Sequence, residues 1–137
     1  LYSIECNSMF TLNCPCPGFN ANQIQNELRI KIKEFISNIS KIIAIATSYT
    51  NNILILGLTK VIEERTTPIL WNDNEMYFNN TIKEYDDVLK DYCNTNKVQY
   101  LKLFDILQQT DFSTDGIHPN EKGHEKIYKA IKMEGEK

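Results

Sequence analysis

"ILILGLT", Ile53 to Thr59, is a nearly continuous apolar run. A strand with one wet face alternates apolar and polar residues, and this one does not. Both of its faces are therefore expected to be buried, as in a central parallel strand covered by helices on each side. The flanking sequence agrees. Upstream, Asn22 reads as a helix N-cap with Gln25 as its capping-box partner. Apolar residues follow at Leu28, Ile32, Phe35, Ile36, Ile39, Ile42, Ile43 and Ala46, mostly in steps of three and four, and Asn51-Asn52 closes the helix. Downstream, Phe78, Ile82, Tyr85, Val88, Leu89 and Tyr92 mark a second amphipathic helix running to Cys93. "VQYLKLF", Val98 to Phe104, is a second strand with one apolar and one mixed face, expected nearer a sheet edge. A last helix starts at Pro119-Asn120 and carries Ile127, Ala130 and Ile131. Helix, strand, helix, strand, helix predicts an α/β domain with a parallel sheet.

The chain has 137 residues, room for one domain with a core of its own. Hydrophobic residues make up 42% and charged residues 24%, as in an ordinary globular protein. A net charge of −3 gives no general attraction for nucleic acid or anionic lipid. No apolar run approaches the ~20 residues of a membrane span, and no signal peptide is visible, so a cytoplasmic location is the expectation. Cys6, Cys14, Cys16 and Cys93 lack zinc spacing and read as free thiols. There is no glycine-rich phosphate loop, and no cofactor is expected. Residues 1–21 have no periodicity and read as an irregular segment, with at most a short strand near Leu1 to Ile4. Residues 22–137 carry the domain.

Chemistry concentrates in "DGIHPNEKGHEKI", residues 115–127, which holds both histidines of the chain. Asp115 lies three residues before His118, in a loop that follows the C-terminal end of a strand. Open α/β sheets keep their ligands at that end. A carboxylate holding one imidazole nitrogen fixes the tautomer and lets the other nitrogen act as a general base. Gly116 permits a tight turn between them. Two other readings stand beside this one. Asp115 can simply cap a turn beside an exposed His118, or Asp115, His118 and His124 can be metal ligands, although a six-residue separation suits one ion poorly. His124 shares a stripe with Ile127 and Ile131 and reads as a packed histidine. Between the strands, Trp71 reads as a lid on the end of the core, and Glu63 and Glu64 as solvated.

The block Asp115, Gly116, His118, Pro119, Asn120, Gly123, His124 resembles the last signature block of the SGNH, or GDSL-type, esterase/lipase hydrolases. "LILGLTKVIEERTTPILW", residues 54–71, is similar to the strand and loop that precede it in that family. The resemblance spans about residues 22–132. It implies a three-layer α/β/α sandwich with a parallel, flavodoxin-like sheet. It also implies Ser-His-Asp cleavage of a small ester, an acyl or acetyl group on a carbohydrate or lipid, with His118 as general base and Asp115 orienting it. The family's nucleophile lies in a Gly-Asp-Ser segment, and none occurs here. The serines are Ser3, Ser8, Ser37, Ser40, Ser48 and Ser113, none in a strand-to-helix turn with Gly. "ECNS", Glu5 to Ser8, is faintly similar to the family's Gly-x-Asn-Asp segment and makes Asn7 the candidate oxyanion donor. Two legible strands fall short of the five or so of a doubly wound sheet. The expectation is thus a hydrolase domain lacking its N-terminal strands and inactive by itself. The alternative is a non-catalytic binding domain that keeps the fold.

Overall fold

The computed structural model describes residues 30–137 and the backbone of Leu12–Asn13. In chain order the elements are β1 (Leu12–Asn13), α1 (Ile32–Thr47), β2 (Leu54–Leu56), α2 (Glu63–Thr66), β3 (Glu75–Met76), α3 (Asn79–Thr95), β4 (Gln99–Leu101), a 3-10 turn (Gln109–Asp111) and α4 (Glu121–Gly135). Strands β2 and β4 pair in parallel, with Leu54 beside Gln99, Ile55 beside Tyr100 and Leu56 beside Leu101. Strand β1 pairs antiparallel with β3. The expected alternation and the parallel pairing are both present, and the fold is α/β.

Helices α1, α3 and α4 form where apolar spacing put them, whereas α2 (Glu63–Thr66) has no apolar stripe and no helix was expected there. Phe35, Ile39 and Ile43 of α1 are buried, and so are Ile82, Tyr85, Leu89 and Cys93 of α3. The two stripes meet: the rings of Phe35 and Tyr85 lie edge to face, centroids 5.2 Å apart. The Tyr85 hydroxyl donates to the carbonyl of Ile30, and burial, then the charge of Glu84, pushes its pKa up to about 12. Helix α1 ends because Thr47 and Ser48 turn their hydroxyls onto carbonyls of its last turn. Cys93 is a free, buried thiol. The other three cysteines, Asn7, and the proposed cap at Asn22 with Gln25 lie outside the described residues. Among those described, α1 begins at Ile32. The irregular reading of residues 1–21 missed β1, which is too short to leave a periodic signal.

Strand β2 corrects the reading of "ILILGLT". Ile53, Leu54 and Ile55 are half-buried, and Leu56 is 37% exposed. Among the described residues β2 has one hydrogen-bonded neighbour, β4, and the exposure of Leu56 shows that its apolarity is not matched by full cover. Burial instead resumes just past the strand, at Gly57 and Leu58. Here α3 contributes a polar side chain to the core. Asp86, 2% exposed, accepts from Leu58 N at 2.8 Å and from the Tyr100 hydroxyl at 2.7 Å. That hydroxyl passes so close to Gly57 that a Cβ there would lie 2.4 Å from it. Burial first, then the bond to Asp86, raises the pKa of Tyr100 well above its ordinary value, so the hydroxyl stays a donor.

Beyond β2 the chain is stitched down rather than loose. Asn79 accepts from Val61 N at 2.8 Å and donates back to Val61 O at 3.0 Å. Glu63 accepts from Asn79 N at 2.6 Å. Thr66 and Tyr77 exchange two 3.0 Å bonds. Glu63 is therefore not simply solvated, because it occupies the amino end of α3, where a carboxylate meets unpaired N–H groups. Nor does Trp71 lid the core. Ile69, 1% exposed, does that, while Leu70 and Trp71 stand 66% and 59% exposed on the turn that Ile69 and Asn72 bracket.

Candidate functional site

The loop from β4 to α4 carries Asp115 and His118, and it is held at several points along its length. Ser113 N donates to His118 O at 2.8 Å, and Gly116 N to Ser113 O at 3.1 Å. Phe112 and Pro119 form an antiparallel bridge. Ile117, 4% exposed, anchors the loop in the main core. Ile62 N, from the far side of the sheet end, donates to Gly116 O at 2.9 Å. The Arg65 guanidinium donates to Ser113 O at 3.2 Å.

Asn120 is the hinge pin between loop and helix. Its Oδ1 accepts from Gly123 N at 3.2 Å, capping α4. Its Nδ2 donates to Thr110 O at 2.8 Å and Phe112 O at 3.2 Å. Asp111, almost wholly buried, pairs with Lys126 of α4 at 2.5 Å and accepts from Gln108 N at 2.7 Å. The Lys126 bond, then the Gln108 amide, holds the Asp111 carboxyl below the usual carboxylate range. Sequence reading named Asn120 as a helix start and passed over Asp111 and Lys126. Fifteen residues separate that pair, and no local spacing flags it.

The dyad itself is compact. Asp115 Oδ1 accepts from Ile117 N at 2.8 Å and from His118 N at 3.0 Å. Its Oδ2 accepts from His118 Nδ1 at 2.6 Å. One oxygen thus caps the turn and the other binds the imidazole. Burial pushes the Asp115 carboxyl up, but the bonds from the His118 ring and the two amides outweigh it, and the net shift is downward. The carboxylate is then ionised and can only accept. Nδ1 must carry the proton, and in the neutral ring Nε2 is the basic atom. The His118 side chain is 51% exposed against 18% for Asp115, so a half-exposed imidazole rests on a sheltered carboxylate.

His124 is not packed. It lies on the exposed face of α4, and Gly123 beside it is the residue that faces inward. Ile127, Ala130 and Ile131 are half-buried, which places the stripe's centre away from His124. Among the described residues no three His, Cys, Asp or Glu side chains are grouped to hold a metal. No helix among them is long and apolar enough to cross a membrane.

Two expectations test this geometry. Gly116 has φ of +73°, and a Cβ there would lie 2.8 Å from Arg65 Cβ and 3.2 Å from Ile62 O. Left-handed strain and overpacking together predict that Gly116→Ala costs about 2 kcal/mol in urea denaturation. A loss under about 0.5 kcal/mol, the size of an ordinary surface change, would contradict the close approach. The second concerns pH. The folded pKa of Asp115 lies below its unfolded value of about 3.9, so its stabilising contribution is present above that value. It is lost as pH falls through the folded pKa. A carboxyl NMR titration should find Asp115 titrating below the ordinary aspartate value. Titration at or above the ordinary value would show the 2.6 Å bond to be absent.

Against known proteins, the profile of the family described as GDSL-like Lipase/Acylhydrolase matches residues 3–131. No curated protein and no solved structure gives a significant match.

Proposed function

The chain belongs to the GDSL-like lipase/acylhydrolase family, and on that premise we propose that it serves Ser-His-Asp hydrolysis of carboxylic esters, with His118 as general base and Asp115 orienting it. The observation that carries the roles is the 2.6 Å bond from His118 Nδ1 to an Asp115 carboxylate already fixed by two backbone amides. Nε2 would take the proton of an attacking hydroxyl and return it to the leaving alkoxide. Asp115 would stabilise the imidazolium formed between those steps. The substrate class follows from the family: a small ester of a carbohydrate or lipid. Asn7 remains the candidate oxyanion donor. Residues 22–137 are read as the C-terminal part of one hydrolase domain within a three-layer sandwich, and most of residues 1–21 also fall inside the stretch that the family profile matches. A binding module without chemistry is the less favoured reading, since the matched family is one of hydrolases and the dyad keeps its geometry.

The nucleophile is the missing part. Ser113, nearest in sequence to the dyad, holds the loop through its backbone N–H and carbonyl and does not lie in a strand-to-helix turn with Gly, and no Gly-Asp-Ser segment exists. Loss of a nucleophile costs several powers of ten in rate, so residues 1–137 alone should show negligible serine-type turnover. Intact mass after fluorophosphonate treatment measures this without guessing a substrate, and no adduct is expected. A single adduct that vanishes in His118→Ala would place a working serine within the chain and make it a complete hydrolase. An adduct that survives in His118→Ala would remove His118 as the base.

A further inference from the structure

Against the dyad loop lies a cavity of about 260 Å³. The chain leaving β2, the first turn of α3 and the 3-10 turn line it, and its mouth is open to solvent. It shares two walls with the catalytic loop: Ile62, whose N–H holds Gly116 O, and Phe112, which bridges Pro119. We propose that this cavity binds one neutral, hydroxyl-rich ring, a monosaccharide unit that forms the alcohol part of the ester. The inference rests on the hydrolase reading for what is cleaved, though not for what is bound.

Size comes first. The volume falls just under the ~300 Å³ at which drug-sized pockets begin, room for a single small group rather than an acyl chain. Wall chemistry decides the class. A lipid tail needs apolar lining, but Val61, Ile62 and Phe112 are 8%, 6% and 7% exposed and their side chains belong to the two core clusters. The rest of the wall is polar: Lys60, Glu63, Glu64, Asn79 and Gln109. Lys60 offers donors only, Glu64 acceptors only, and Gln109 both. None of these three side chains makes a hydrogen bond or ion pair with another described residue. Interleaved donors and acceptors are what vicinal hydroxyls match, since each hydroxyl both donates and accepts. Glu63 and Asn79, by contrast, are locked to each other and to Val61, so this side of the wall is preorganised. Two carboxylates against one ammonium make the cavity a poor host for phosphate or a carboxylate. A neutral polyol meets no such penalty.

Amide NMR on the full 137-residue chain tests the proposal without turnover. The probes are the methyl glycosides of glucose, galactose, mannose and N-acetylglucosamine, with monomeric dihexanoylphosphatidylcholine as the lipid arm. At least one glycoside should shift the amides of Gln109 and Asn79 saturably. The Glu64→Ala/Gln109→Ala double variant should weaken that binding about tenfold, the equivalent of one hydrogen bond or a little more. Its melting temperature should not move, because neither side chain bonds to the fold. Absence of shifts with every glycoside would overturn the inference, as would the lipid shifting the same amides or undiminished binding by the double variant. The two readings fail separately. An adduct surviving in His118→Ala removes the reaction and leaves the binding result standing, whereas silent glycosides remove the cavity's ligand and leave the reaction standing.

Discussion

Phe35→Ala will lower the unfolding free energy by about 4 kcal/mol, the cost of deleting a ring that leaves a cavity its neighbours cannot close. Phe35 is 0% exposed. Its partner Tyr85, 5.2 Å away between centroids, is tied by its hydroxyl to Ile30 O and cannot swing into the gap. Domains of this size are stable by about 5–15 kcal/mol, so the variant should lose between about a quarter and most of its stability. Phe35→Leu keeps most of the volume and should lose only about 1 kcal/mol. Urea denaturation of both variants checks the pair. If alanine and leucine cost the same small amount, α1 does not dock on α3 through this ring.

Asp86→Ala should cost about 3 kcal/mol, because it strands two buried donors at once, the Leu58 amide and the Tyr100 hydroxyl. Asp86→Asn keeps an acceptor at Oδ1 and should cost roughly 1 kcal/mol, the difference between a charged and a neutral acceptor. Tyr100→Phe removes one of the two donors, so Asp86→Ala in that background should cost less than it does alone, the non-additivity expected of partners in contact. The functional reach of Asp86 is longer than its contacts. It fixes the chain where β2 ends, and that same chain delivers Ile62 to Gly116 and Lys60 to Glu64 to the cavity. In Asp86→Ala the amide resonances of Ile62 and Gly116 should shift although neither touches the mutated side chain. Resonances unchanged there, with full stability retained, would mean that Leu58 N finds water instead and that the carboxylate anchors nothing.

Much of the molecule was legible from residue order. The threes and fours of Phe35, Ile39 and Ile43, and of Ile82, Tyr85 and Leu89, named the buried faces of α1 and α3 because helical periodicity is a local property. The parallel pairing followed from alternation of elements. Asp115 and His118 were legible too, since three residues and one glycine are enough chain to close their bond. Other features depended on residues distant in sequence. Leu56 reads as core, yet it is exposed because cover comes from neighbouring elements and not from its own apolarity. Asp86 carries no signal in the sequence, and only the meeting of α3 with the end of β2 gives it two donors to satisfy. Trp71 and His124 were placed inward by residue type and by stripe, but Ile69 and Gly123 hold those positions, because shape at the contact and not hydrophobicity chose between neighbours. The sequence by itself determined which local turns, stripes and short-range pairs could form. The tertiary structure alone decided which polar groups are buried together and which apolar ones are left outside, for those depend on where separate elements come to rest.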